Sequence, residues 1–171
     1  MKRSGGGFDA SYNAQTAVDE ANHIIVAAEL TNSASDAGEL PSLLGAVRSN
    51  AGRAPRQVLA DTGYRAEAVF EQLAAGPTEV LVAVGREGKA TLRLHDERKP
   101  HTAAMVAKLR SAQGQLDYAK RKWIAEPPNG WIKSVLGFRQ FSLRGLHRVT
   151  AEWKLVCMAL NLRRMCVLQA A

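Results

Sequence analysis

The sequence predicts an α/β domain, and three observations carry the prediction. Two short apolar runs, Gln57-Val-Leu-Ala-Asp61 and Glu79-Val-Leu-Val-Ala-Val84, flank a stretch of helical composition from Ala66 to Ala75. A strand, helix, strand order of this kind requires a right-handed crossover and favours parallel pairing. Two further β-rich segments, Ser11 to Asp19 and His23 to Thr31, lie on either side of the tract Glu20-Ala-Asn22 and read as a hairpin. Near the C-terminus, Leu146, Val149, Trp153, Val156 and Leu160 recur at spacings of 3 and 4. That spacing makes an apolar face about four turns long, suited to packing onto a sheet.

The other elements follow in order. Asn32 to Gly38 is small and polar, and Ser35 or Asp36 is expected to cap a helix carrying Leu40, Leu43, Leu44 and Val47. That helix should end near Asn50-Ala-Gly52. From Gly85 to Pro100 the chain is charged and broken by glycine, with a short strand expected at 91–94. Thr102 is expected to cap a helix from Ala103 to Arg110. A second helix is expected from Leu116 to Ala125, as far as Pro127-Pro128, where a continuous ladder must kink or restart.

Composition supports one folded domain over residues 1–171. The chain has 46% hydrophobic and 23% charged residues, 14 Gly, 6 Pro and 2 Cys, which disfavours disordered, collagen-like and disulfide-scaffold classes. The longest apolar run, Leu155 to Leu162, is closed by Arg163 and Arg164 and falls well short of the roughly 20 residues of a membrane span. Met-Lys-Arg is followed by Ser4-Gly-Gly-Gly-Phe-Asp9 instead of an apolar segment, so a cytoplasmic chain is expected. Cys157 and Cys166 stand nine residues apart on one predicted helix and cannot easily bridge, so both are expected as thiols.

Charge divides the chain. Residues 1–85, the α/β part, hold six basic and ten acidic side chains, a net of −4; residues 86–171, mainly helical, hold seventeen and six, a net of +11. A basic half of this kind attracts phosphate backbones, although a solvated basic surface gives the same count. Within it lies the run Tyr118-Ala-Lys-Arg121-Lys-Trp-Ile-Ala-Glu126-Pro-Pro-Asn-Gly-Trp-Ile-Lys133.

Two carboxylates stand out. Asp61 ends a strand of an α/β sheet, where ligands and metals bind, or else it accepts hydrogen bonds from the amides of Thr62-Gly63-Tyr64. Glu126 is a lone acid among cations, read either as a metal ligand or as an ion-pair partner of Arg121 or Lys122. The four histidines have no metal spacing, and neither Gly5-Gly-Gly7 nor Gly85-Arg-Glu-Gly88 makes a phosphate loop.

Taken together, these motifs resemble the C-terminal part of the catalytic domain of bacterial insertion-sequence transposases of the DDE type. Tyr12-Asn-Ala-Gln15 with Ala17-Val-Asp19 is similar to the family's second-strand motif, and Val58-Leu-Ala-Asp61-Thr-Gly-Tyr64 to the motif carrying its second catalytic Asp. Tyr118, Arg121, Glu126 and Lys133 resemble its Tyr, Arg, Glu, Lys signature, in which Glu is the third catalytic carboxylate. Gly137 to Leu146 and Glu152 to Leu162 match as well, so the resemblance covers nearly the whole chain.

The resemblance implies an RNase-H-like mixed sheet flanked by helices, incomplete because the first strand and its Asp are expected ahead of Tyr12. It implies metal-dependent DNA strand cleavage and transfer, with Asp61 and Glu126 as catalytic ligands of Mg²⁺ or Mn²⁺. In such sites hard carboxylate oxygens hold two ions roughly 4 Å apart, one activating the nucleophile and one stabilising the leaving oxygen. Arg121 and Lys133 would contact the DNA backbone, and Tyr118 would position the helix or a sugar-phosphate. The implied partners are double-stranded DNA at transposon ends and a second copy or an intact transposase.

Three carboxylates are required, so the chain is expected to be inactive alone; Asp9 and Asp19 are weak substitutes, Asp19 most simply starting the hairpin turn. The Glu126-Pro-Pro-Asn129 stretch also departs from the family, which more commonly places an apolar and an aromatic residue after its Glu-Pro. The alternative reading is a non-catalytic DNA-binding module or regulator.

Overall fold

Two two-stranded sheets organise the protein, and the computed structural model describes residues 11–85 and 98–170. In chain order the elements are β1 (Asn13–Val18), β2 (Ile25–Thr31), α1 (Leu40–Ala51), β3 (Gln57–Ala60), a 3₁₀ turn (Thr62–Tyr64), α2 (Glu67–Ala74) and β4 (Glu79–Val82). Then follow α3 (Pro100–Arg110), α4 (Ala112–Ala119), α5 (Arg121–Ser134) and α6 (Leu146–Gln169). The chain is therefore mixed α/β, as expected. The strand expected at 91–94, and Asp9, lie outside the described residues. Contacts divide the chain into two compact units, Met1–Ala34 with Ile124–Ala171, and Ser35–Trp123.

In the first unit β1 and β2 pair antiparallel, from Asn13 opposite Thr31 to Val18 opposite Ile25, with an irregularity at Ala17/Val18. The turn is built on Asp19, whose carboxylate accepts from the Asn22 amide at 2.9 Å and the Ile24 amide at 2.6 Å. Asp19 thus belongs to the hairpin, as its simplest reading held, and His23 takes a left-handed conformation, φ 58°, to close it. The expected face of α6 holds in its middle: Val149, Trp153 and Leu160 are buried, Val156 is partly buried, and Leu146 at the start is exposed. Val149, Trp153, Cys157 and Leu160 are buried with Ile25, Leu30 and Ile132. Asn161 adds a polar clamp, its carbonyl oxygen accepting from the Ile25 amide and its amide donating to the Ile25 carbonyl, both at 2.8 Å. One side chain thereby satisfies both backbone groups of a strand residue, as a neighbouring strand would.

In the second unit β3 and β4 pair parallel, Gln57 opposite Glu79 through Ala60 opposite Val82, with α2 as the crossover. Leu40, Val69, Phe70, Met105 and Val106 bury against Ala60, Val80, Val82 and Val84. α1 ends as expected at Gly52, whose φ of 69° suits glycine. Its start differs from the expectation, because neither Ser35 nor Asp36 caps it. The Ser35 hydroxyl accepts from Ala37, the Asp36 carbonyl accepts from Glu39, and Glu39 occupies the cap position. Pro41, early in the first turn, needs no amide partner and sets this later start.

Pro100 does the same for α3, which begins three residues before Ala103, so Thr102 lies inside the first turn instead of capping it. The cap is supplied by Glu67 of α2. Its carboxylate accepts from the His101 amide at 2.7 Å, the Thr102 amide at 2.8 Å and the Thr102 hydroxyl at 2.6 Å. Desolvation raises the Glu67 pKa, but the bonds from Thr102 and His101 outweigh it and hold the carboxyl below the ordinary glutamate value.

The helix expected from Leu116 to Ala125 is two helices, and the second does not break at the prolines. Ser111 closes α3 and opens α4, its hydroxyl accepting from the Gly114 amide at 3.0 Å. A Cβ at Gly114 would collide with the Lys108 carbonyl, so glycine permits the corner. α5 runs through Pro127 and Pro128. Proline φ is itself helical and the penalty is the missing amide. Burial of the Pro128 ring offsets that loss.

Two outcomes are expected from these contacts. Because the Glu67 carboxyl is lowered on folding, its contribution is full above the unfolded glutamate pKa and is lost as pH falls through the folded value. Glu67→Gln should cost about 1 kcal/mol at neutral pH, the usual worth of a helix cap, and the difference in melting temperature from wild type should vanish on acidification. Burial pushes the Cys157 thiol up to about 12, whereas Cys166 is exposed. Mass spectrometry of the native chain after brief iodoacetamide treatment at neutral pH should therefore find Cys166 modified and Cys157 untouched.

Candidate functional site

The end of β3 is held by several side-chain hydrogen bonds within the Ser35–Trp123 unit. Asp61 follows Ala60 in extended conformation, φ −82° and ψ 179°, and caps the 3₁₀ turn, its Oδ1 accepting from the Gly63 amide at 2.8 Å. The turn-residue geometry anticipated for Asp61 is therefore present. The residue is exposed, and among the described residues its Oδ2 has no partner. The turn itself is fastened to the end of β4. The Thr62 hydroxyl lies 3.1 Å from the Ala83 carbonyl and 3.0 Å from the Gly85 carbonyl, donating to one at a time, and Arg65 Nη1 donates to the Val84 carbonyl at 2.8 Å.

A second carboxylate stands at this corner. A Cβ on Gly63 would lie 2.5 Å from Asp36 Oδ2 and 3.0 Å from Asp61 Oδ1, so the glycine is where two acidic side chains converge. Burial raises the Tyr64 pKa, and the charges of Asp36, Asp61 and Glu39 raise it further, so its phenol stays protonated at any physiological pH. Asp36 was read from sequence as a candidate helix cap; the pairing across Gly63 has no signature in spacing, because Asp36 and Asp61 lie on separate segments.

α4 lies along β3. The Tyr118 hydroxyl donates to the Ala60 carbonyl at 3.0 Å, and Asp117 accepts from Gln57, the first residue of the strand, at 3.2 Å. The Arg121 guanidinium carbon stands 5.8 Å from the Tyr118 ring centroid. Its Nε is buried and, among the described residues, has no hydrogen-bond partner. Asp61, Tyr118 and Arg121 thus belong to one unit and are linked through Ala60.

Glu126 and Lys133 belong to the other unit. Both are exposed on α5, and seven residues apart they lie on one face about two turns from each other. Among the described residues the Glu126 carboxylate shows no ion pair.

Among the described residues no group of three His, Cys, Asp or Glu side chains is arranged to hold a metal ion, and no helix is long and apolar enough to cross a membrane. A model of the transposase DDE domain family matches residues 2–162. The chain belongs to that family. No curated protein and no solved structure matches it. DDE transposases use divalent metal ions. Asp61 Oδ2, without a partner among the described residues, is a hard oxygen of the kind that Mg²⁺ takes, and the exposed Glu126 carboxylate is another of that kind on the other unit.

The Asp61 turn separates shape from charge. Asp61→Asn keeps an oxygen for the Gly63 amide and should leave the melting temperature near wild type. Asp61→Ala should cost about 1 kcal/mol, the usual worth of a capping side chain. Parallel thermal melts measure both.

Proposed function

We propose that this chain is the C-terminal part of an RNase-H-like transposase catalytic domain, acting on double-stranded DNA at the ends of a mobile element. The observation that carries the reading is family membership across residues 2–162. It is supported by the net charge of +11 over residues 86–171, which surrounds the Tyr118, Arg121, Glu126 and Lys133 signature. In this reading Asp61 and Glu126 are each carboxylate ligands for Mg²⁺ or Mn²⁺, and Arg121 and Lys133 neutralise backbone phosphates. Arg121 is suited to that part, because its charge is held against an aromatic ring. The ion, when bound, supplies Lewis-acid activation of a phosphodiester. Asp61 contributes orientation, since the Gly63 amide holds Oδ1 and leaves Oδ2 to coordinate.

Strand cleavage asks for a third carboxylate, and the proposal for these 171 residues is limited to metal and DNA binding. The basic half equally supports a second reading, a non-catalytic DNA-binding module that competes with an intact transposase.

Two titrations test the proposal. Mn²⁺ affinity, followed by electron paramagnetic resonance, should fall about tenfold or more in Asp61→Asn and Glu126→Gln, as loss of one ionised ligand requires. Unchanged affinity in both variants would reject the metal reading. Duplex DNA binding across a salt series should weaken steeply, and Arg121→Ala and Lys133→Ala should each reduce the salt slope by about one ion. Absence of duplex binding at low salt would reject both DNA readings.

A further inference from the structure

The carbonyl of Ala60 receives two donors, the Tyr118 hydroxyl at 3.0 Å and the Ala83 amide at 3.2 Å. A carbonyl oxygen has two lone pairs, so both are engaged and the peptide plane between Ala60 and Asp61 is held from two directions. From that plane the Asp61 carboxylate is placed by φ and the side-chain torsions, and the bond from the Gly63 amide to Oδ1 helps to fix the latter. Tyr118 is partly buried, and its hydroxyl is directed to the strand end instead of outward. The same ring carries the Arg121 guanidinium at 5.8 Å. A second bond, Gln57 to Asp117 at 3.2 Å, ties the beginning of β3 to the same helix, so α4 holds the strand at both ends.

We propose that Tyr118 is a positioning residue, whose hydroxyl aims Asp61 through the Ala60 carbonyl and whose ring supports Arg121, and that it makes no contact of its own with the DNA sugar-phosphate. The inference rests on the reading of Asp61 as a metal ligand, and it goes beyond that reading by assigning a residue that orients the ligand without touching ion or substrate. A phenol donating to a neutral carbonyl makes an ordinary hydrogen bond, so its removal is felt as a several-fold effect and not as abolition.

The test compares the full chain carrying Tyr118→Phe with wild type by three measurements. Amide hydrogen exchange at Gly63, whose N–H is held by Asp61 Oδ1, should quicken about fivefold, and Mn²⁺ affinity should weaken by a similar factor, the worth of one neutral hydrogen bond. Duplex DNA affinity measured without metal should stay within about twofold, because Arg121 keeps its ring. p-Aminophenylalanine at position 118 retains a donor at the ring terminus and should restore both Gly63 exchange and Mn²⁺ affinity, which general loosening of the fold would not predict. If Tyr118→Phe lowers DNA affinity while leaving Gly63 exchange and Mn²⁺ affinity at wild-type values, Tyr118 is a DNA contact and the proposal is overturned. Should Tyr118→Phe fail to fold, p-aminophenylalanine against p-methoxyphenylalanine, which lacks the donor, makes the same comparison, and equal Gly63 exchange in the two overturns it. If Asp61→Asn leaves Mn²⁺ affinity unchanged, the reading of Asp61 as a metal ligand fails by itself, and the Gly63 exchange rates still decide whether Tyr118 holds the turn.

Discussion

The structure of the Ser35–Trp123 unit depends on how the end of β3 is held. A parallel pair of four-residue strands has little ladder of its own, and parallel pairing is slightly weaker per residue than antiparallel. The strand end therefore relies on groups brought from elsewhere: Ala83 and the Tyr118 phenol on the Ala60 carbonyl, and Thr62 and Arg65 on the carbonyls that follow β4. Beneath them the side chains of Ala60, Val80, Val82 and Val84 form the apolar floor on which α1, α2 and α3 pack. Asp61 emerges at the rim of that floor with one oxygen fixed and the other open. An exposed carboxylate on a well-anchored backbone is a different object from an exposed carboxylate on a loop, because its position is determined before any ion arrives.

The other unit solves the same problem with one residue. Its hairpin is also only two strands, which alone is marginal in water. Asn161 of α6 satisfies the amide and carbonyl of Ile25 while the buried side chains of that helix cover the sheet. Lys154 pairs with Glu29 at 3.2 Å and the Arg164 side chain donates to the Asn22 carbonyl at 2.8 Å, so the helix is fixed to the hairpin along its length. α6 is thus the hairpin's missing neighbour as well as its apolar cover.

The elements that were legible in the sequence are those with a period. The hairpin, the strand, helix, strand unit and the long final helix all follow from where apolar residues recur, and the Gly52 stop follows from the conformation that glycine alone adopts easily. The starts of α1 and α3 were displaced because Pro41 and Pro100 each moved the first turn, and because the cap of α3 comes from Glu67 on another helix. Pro127 and Pro128 misled for a related reason: proline forbids an amide, not a helical φ, and a buried ring can repay the amide. The ring at 118 and the acid at 61 could be singled out by type, but the bond that joins their segments spans 58 residues.

The sequence by itself determined the mixed α/β class, the family and the choice of candidate residues, since all three are written in local pattern and residue type. Only the tertiary structure decided how those residues are placed: that Asp36 converges with Asp61 over Gly63, that Tyr118 reaches a backbone carbonyl, and that Glu126 is exposed on α5. The reason is physical. Periodicity records which side of a helix or strand avoids water, whereas a hydrogen bond between distant segments depends on ångström-scale placement that packing sets and no spacing along the chain encodes.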